Sequence, residues 1–226
     1  MKKLAVALMV LLAHPAWAAM SLDKMIIHLD AIPNAREDIV VSNPDQETLY
    51  LQTEVFRVDN PGTEKEVLQP VTNPEDFKLL ISPSKAVIPV GGKKRFRLMS
   101  VETGLEKEKV YRITFKPVVG DITTEATGLK LLVAFQTLIF VQPVGGHYRL
   151  ELEKSDGKLF LKNTGNVNVE ITKVRHCEES GKCAPLSVGG RLYVDTRKTV
   201  PLEGGGGYLE VQAFDGAESE TFKLTL

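Results

Sequence analysis

The chain has 226 residues, of which 43% are apolar, 25% charged and 7% aromatic, which is the make-up of a folded globular protein and excludes a disordered or collagen-like one. Twenty-eight lysines and arginines stand against 29 aspartates and glutamates, a formal net charge of -1. That balance offers no bulk attraction to nucleic acid or to an acidic membrane surface, so any cationic site has to be local.

Residues 1–18 read as a secretory signal. Lys2 and Lys3 precede an apolar run from Leu4 to Ala13, and Ala16-Trp17-Ala18 supplies the small-x-small pattern that signal peptidase reads, so cleavage is expected after Ala18. The run is too short to cross a bilayer core of about 30 Å as a helix, and no later stretch approaches the roughly 18 uninterrupted apolar residues a span needs. The mature chain is therefore expected to be exported, without membrane insertion.

From Met20 onward strand signals dominate. Ile39-Val40-Val41, the run from Leu49 to Val55, the run from Lys109 to Phe115 and Tyr148-Arg149-Leu150-Glu151-Leu152 mix β-branched, aromatic and alternating residues. Between such runs sit turn formers: Ser42-Asn43-Pro44, Asp59-Asn60-Pro61-Gly62, Ser82-Pro83, Gly91-Gly92 and Asn163-Thr164-Gly165-Asn166. Asp156-Gly157 is the strongest hairpin signal. No window carries a long amphipathic helical stripe, so the spacing predicts an all-β chain of antiparallel sandwiches. The charged stretches Lys93-Lys94-Arg95 and Glu106-Lys107-Glu108-Lys109 read as solvated loops, the second at the mouth of a cleft between domains.

A long apolar segment from Leu129 to Val141 ends at Gln142-Pro143-Val144-Gly145-Gly146, and a fresh series of strands begins at His147. The expected division is 19–142 for an N-terminal domain and 143–226 for a C-terminal one. Within the apolar segment, a period of two puts Leu129, Leu131, Val133 and Phe135 on one face and Lys130, Leu132, Ala134 and Gln136 on the other. The pattern alone fits two roles equally: an inward core row of this chain, or a row of side chains offered to a partner.

Cys177 and Cys183 are the only cysteines and share one polar stretch. In an oxidising compartment the expectation is a disulfide closing a small loop. Zinc is not expected, since His176 and the cysteines offer no CxxC and His28 and His147 stand alone in sequence. The sequence holds no GxSxG elbow and no HExxH, and Gly204 to Gly207 lacks the spacing of a phosphate-binding loop, so no enzyme is expected. A carbohydrate-binding cleft would want tryptophan, and the only one, Trp17, leaves with the signal peptide.

Set in order, Ile39-Val40-Val41-Ser42-Asn43-Pro44, Leu80-Ile81-Ser82-Pro83-Ser84, Ile88-Pro89-Val90-Gly91-Gly92 before Phe96-Arg97-Leu98, Val110-Tyr111-Arg112-Ile113, Ala134-Phe135-Gln136-Thr137, Pro143 and Leu161-Lys162-Asn163-Thr164-Gly165-Asn166 resemble the periplasmic chaperones of the chaperone-usher pathway. The resemblance spans nearly all of the mature chain. Tyr111-Arg112 and the cysteine pair in the second domain resemble the alternative branch that serves class 5 fimbriae. It implies two immunoglobulin-like β-sandwich domains at an angle, a periplasmic location, fimbrial (pilin) subunits and an outer-membrane usher as partners, and no cofactor. It also implies that Leu131, Val133 and Phe135, with Leu129, form a donor strand that completes the subunit's sheet. In the better-studied branch two basic residues grip the subunit's C-terminal carboxylate, but the matching positions here are Ile26 and Leu138, and Gln142 replaces a further basic residue that ends the seventh strand. The anchor is then expected at Arg112, with Arg97 and Lys130 as the next candidates; an internal ion pair is the competing role for each arginine. An exposed donor edge would also allow self-capping as a homodimer. The competing function is a secreted structural or adhesive two-sandwich protein of a surface fibre.

Overall fold

The structure, a computed structural model, describes residues 20–119, 132–202 and 205–226. The signal sequence and three of the expected site residues, Leu129, Lys130 and Leu131, lie outside the described residues.

Two pairs of sheets make up the protein. In the first pair, one sheet orders β1 (Ser21–Leu22), β3 (Ala35–Ser42), β8 (Lys93–Ser100) and β6 (Leu79–Ser82). The facing sheet orders β2 (Ile26–Asp30), β10 (Phe135–Gln142), β9 (Lys109–Val118) and β4 (Leu49–Asp59), with β5 (Val67–Pro70) and β7 (Lys85–Ile88) paired to opposite ends of β4. In the second pair, β11 (Leu150–Ser155), β12 (Lys158–Asn163) and β16 (Arg197–Val200) face a sheet of β14 (Cys183–Leu186), β13 (Val169–Cys177), β17 (Tyr208–Phe214) and β18 (Ser219–Thr225), with β15 (Gly190–Leu192) beside β13. Among the described residues the fold is all-β apart from a single 3-10 turn at Pro74–Asp76.

Each pair of sheets closes on its own core because the strands alternate. In β8, Phe96 and Leu98 point inward while Arg95 and Arg97 point out. In β9, Tyr111, Ile113 and Phe115 meet them from the facing sheet, with Phe96 and Phe115 edge to face at 5.3 Å. Leu161, Val169, Ile171, Leu209 and Val211 do the same between the second two sheets. Cys177 and Cys183 are disulfide-bonded across the β13–β14 ladder. The charged stretch Lys93-Lys94-Arg95 opens β8 on its solvent-facing end rather than forming a loop.

Two asparagines read as turn formers have a deeper role. Asn43 is buried, and its amide donates to the carbonyls of Glu47 (2.8 Å) and Ile88 (3.0 Å) while its oxygen accepts from the Asp45 N–H. Asn163 does the equivalent in the second sandwich, donating to the carbonyls of Val167 (2.8 Å) and Leu192 (3.2 Å) and accepting from the N–H groups of Arg149 and Gly165. Each satisfies backbone groups that a strand leaves unpaired as it exits its sheet. Phe96→Ala is expected to cost about 3–5 kcal/mol of stability in urea denaturation, because it opens a cavity between two sheets. Val87→Ala, at a side chain 59% exposed on β7, should stay within about 0.5 kcal/mol.

Candidate functional site

The first strand changes sheets, and that decides which edge is left open. Ser21 and Leu22 pair with β3, and Asp23 holds the crossing by accepting the Val40 N–H at 2.8 Å on its carboxylate. Lys24 then pairs with Glu37, and the chain re-enters the opposite sheet as β2, parallel to β10, with Ile26 beside Leu138. The Leu138 N–H donates to the Met25 carbonyl at 2.9 Å and the Thr137 hydroxyl to the Lys24 carbonyl at 3.4 Å. Upstream of that point, among the described residues, no strand pairs with β10 on the β2 side. Phe135 and Gln136 keep only their β9 partners, Phe115 and Thr114.

The inward row of β10 runs straight to this open end. Phe135, Thr137, Ile139 and Val141 lie on one face, the last three buried and Phe135 half-buried against the first core. Val133, two residues earlier in the same period, is 48% exposed. Of that row, Phe135 lies in β10 and packs against the first core, while Val133 precedes the strand and is exposed. Leu138 and Phe140, on the other face, join Val58, Val110 and Tyr193 in a small cluster between the two sandwiches.

The candidate cations separate clearly. Arg112, on the outer face of β9 opposite Leu138, is 26% exposed and pairs with Glu66 through one nitrogen, Nη2 to Oε1 at 2.7 Å. Glu66 Oε2 accepts the Gly62 N–H at 2.8 Å, so the pair hangs on the turn that joins β4 to β5. That turn is pressed against the second sandwich: Gly62 has φ +72°, and a Cβ there would fall 2.4 Å from the Tyr193 ring. Arg97 sits in the other sheet on its solvent face, its fork filled by Asp38 in two hydrogen bonds of 2.9 and 3.0 Å. The structure therefore brings Arg112 to the junction and leaves Arg97 outside it, on the opposite sheet.

Glu106-Lys107-Glu108-Lys109, read as a solvated loop, is instead built into the junction. Lys107 pairs with Asp195, the Glu108 N–H donates to the Asn166 carbonyl at 3.0 Å, and Asn166 Nδ2 donates to the Glu106 carbonyl at 3.2 Å. Glu108 Oε2 accepts from Asn168 (2.7 Å) and from Gln142 (3.3 Å), while its Oε1 is buried without a partner. Arg191 bonds Asn168 and Glu170 and lies 4.8 Å over the Phe140 ring, and His28 packs against the same ring with centroids 5.1 Å apart. Nothing in the local sequence distinguishes Glu66, Glu108, Asn168 or Arg191 from surface polar residues, and sequence reasoning alone passes over all four.

No family model matches this chain. It is 28% identical over 203 residues to a CS1 fimbrial subunit of Escherichia coli, covering 84% of each chain. Among solved structures it superposes on the class 5 fimbriae chaperone CfaA with a TM-score of 0.75 at 22% identity, over 92% of this chain and 99% of that one. A chain of the Salmonella enterica SafA pilin–SafB chaperone complex gives a TM-score of 0.65 at 18% identity, over 94% and 99%. The chain has the fimbrial-chaperone fold. In this chaperone fold both sandwiches are accounted for, since the match runs the length of the solved chain.

Burial pushes the Glu108 carboxyl above the usual carboxylate range, against hydrogen bonds from Asn168 and Gln142 and the Arg191 charge, which pull it down. A carboxyl raised in the folded state weighs against folding once the unfolded chain ionises. Its penalty is absent at acid pH and grows as pH rises through the carboxylate range. Glu108→Gln is expected to raise the urea midpoint at about pH 7 and to leave it unchanged near pH 3. A lowered midpoint at neutral pH would show that the Glu108 charge is needed by Arg191.

Proposed function

We propose that this protein is a periplasmic chaperone that caps fimbrial subunits by donor-strand complementation and delivers them to an outer-membrane usher. The observation that carries the reading is the open start of β10, where Phe135 and Gln136 have a ladder partner on one side only and the residues just before them, Leu132 and Val133, are exposed apolar side chains. A subunit that lacks the last strand of its sandwich exposes a groove and two unpaired strand edges, and would aggregate through them. A strand laid into the groove satisfies those backbone groups and fills the core with every second side chain. Leu129, Leu131, Val133 and Phe135 are the side chains assigned to that task. Three such residues fully buried contribute on the order of 5–8 kcal/mol before ordering costs, enough to hold a subunit without ATP.

Arg112 is assigned to the subunit's C-terminal carboxylate. It is close to the sandwich junction, and among the described residues its guanidinium is engaged through one nitrogen only, whereas the Arg97 fork is filled. Residues 19–142 would form the subunit-binding domain and 143–226 the second domain, with no catalytic step and no cofactor. The competing role, as a structural part of the fibre, draws on the name of the CS1 relative. It leaves unexplained a fold shared over nearly the whole length of solved chaperones, and an open edge on the first sandwich.

Tagged protein isolated from a periplasm that expresses fimbrial subunits is expected to bring down a small strand-rich chain in equal amount. Val133→Asp, at an exposed position, should leave the melting curve intact and cut that capture by about tenfold or more. Arg112→Ala should weaken it to a similar degree. Full capture by Val133→Asp would remove the donor-strand assignment, and no capture by the wild type would return the fibre reading.

A further inference from the structure

The Arg112–Glu66 pair is an ion pair in the place where the proposed site needs a vacant cation. We infer that Glu66 is a built-in stand-in for the subunit's terminal carboxylate, holding Arg112 in the free protein and giving it up when a subunit docks. The inference rests on the reading of Arg112 as the anchor.

Four features of the pair support a displaceable contact. First, among the described residues only one guanidinium nitrogen is used, so the pair lacks the two-bond fork that Arg97 makes with Asp38 and Arg57 with Asp59. An incoming carboxylate could make the bidentate arrangement that Glu66 does not. Second, both side chains are about one-quarter exposed, dry enough for the attraction to matter and wet enough for exchange.

Third, Glu66 does not depend on Arg112 for its position. Its other oxygen accepts the Gly62 N–H, and its own N–H donates to the Thr63 carbonyl at 3.1 Å, so the β4–β5 turn keeps it when Arg112 leaves. Fourth, Arg112 is flanked on its own sheet by Phe56 and Leu138, neither of which offers it a second acceptor side chain. Without Glu66 the guanidinium, about one-quarter exposed, would turn to solvent at small cost, so the pair can be given up without loss of the fold. The same stand-in lowers the affinity for any carboxylate that must displace it, so Glu66 sets how complete a partner's other contacts must be before it is held.

The test uses the full mature protein with nitrogen-labelled arginine, and two probes: acetylated trialanine with a free carboxylate, and the same peptide as its C-terminal amide. The Arg112 Nε–H resonance, assigned by its loss in Arg112→Lys, is followed during titration of wild type and of Glu66→Gln. Glutamine retains an oxygen for the Gly62 N–H, so matching melting curves are expected. The carboxylate peptide should shift the resonance and the amide should not, with half-saturation on the order of three- to tenfold lower in Glu66→Gln. Equal or weaker binding by Glu66→Gln, with a carboxylate-specific shift in both proteins, would overturn the stand-in role and leave Arg112 as anchor. A carboxylate-specific shift in neither protein would overturn the anchor reading itself.

Discussion

The crossing of the first strand from one sheet to the other is the constraint on which the remaining geometry depends. Had the chain from Ser21 stayed on β10, the first sandwich would be a closed unit with its edge covered along the full strand. Instead Asp23 fastens to Val40, the chain steps over at Lys24 and Met25, and β2 begins only opposite Leu138. The backbone of β10 upstream of that point has one neighbour rather than two. Thr137 marks the change: it is a buried hydroxyl in an otherwise apolar row, and it bonds the Lys24 carbonyl at the crossing itself. A polar residue is tolerated there because the crossing leaves a carbonyl that needs a donor.

The two sandwiches meet through a contact of mixed character. Val58, Val110, Phe140 and Tyr193 give it an apolar centre, while Glu108, Gln142, Asn168 and Arg191 form a polar rim of directional bonds. Apolar contact is indifferent to rotation over small angles, but the bond from Asn168 to the Glu108 carboxylate and the bonds between Asn166 and the Glu106 and Glu108 backbone, which cross from one sandwich to the other, are not. The rim therefore fixes the orientation that the centre merely permits. The cost is a buried carboxylate with one oxygen unpaired.

The sandwich architecture was legible in the sequence because a strand that is buried on one face must alternate: β8 does so along its length, and β9 and β10 depart from it only where Val110 and Phe140 meet the second sandwich. The end of β10 at Gln142 was equally clear, since turn residues interrupt an apolar run there. What escaped was polar and non-local. Asn43 and Asn163 read as turn formers, and only the folded chain shows that each sits inside and serves strands distant in sequence, 45 residues away in the Asn43–Ile88 bond. Glu108 lies in a run of four charged residues that resembles any solvated loop, and nothing but its partner Asn168, 60 residues on, makes it an interior group. Arg112 could be named from its apolar surroundings, yet Glu66 could not, because the bond joining them spans 46 residues and a turn whose path depends on Tyr193. Periodicity reports on a residue's immediate neighbours, and the chemistry of this site is made between elements.

The continuity of the β10 face explains how one strand can serve two cores in the proposed mechanism. Because side chains alternate with a fixed period, the row that seals the first sandwich at Ile139 and Val141 continues on the same side to Phe135, at the open start of β10. A subunit that pairs with the open edge would then meet side chains already aimed into its groove, and its core would abut the chaperone's own across Phe135. In that mechanism the energy that would keep a subunit soluble is apolar area removed from water, and a second strand that fills the same groove more completely would release the subunit by the same term with larger magnitude. Donor strands of this kind bind well when their row is bulky and release well when it is imperfect. A half-buried Phe135, tied partly to its own core, is suited to both because it cannot commit its whole surface to the partner.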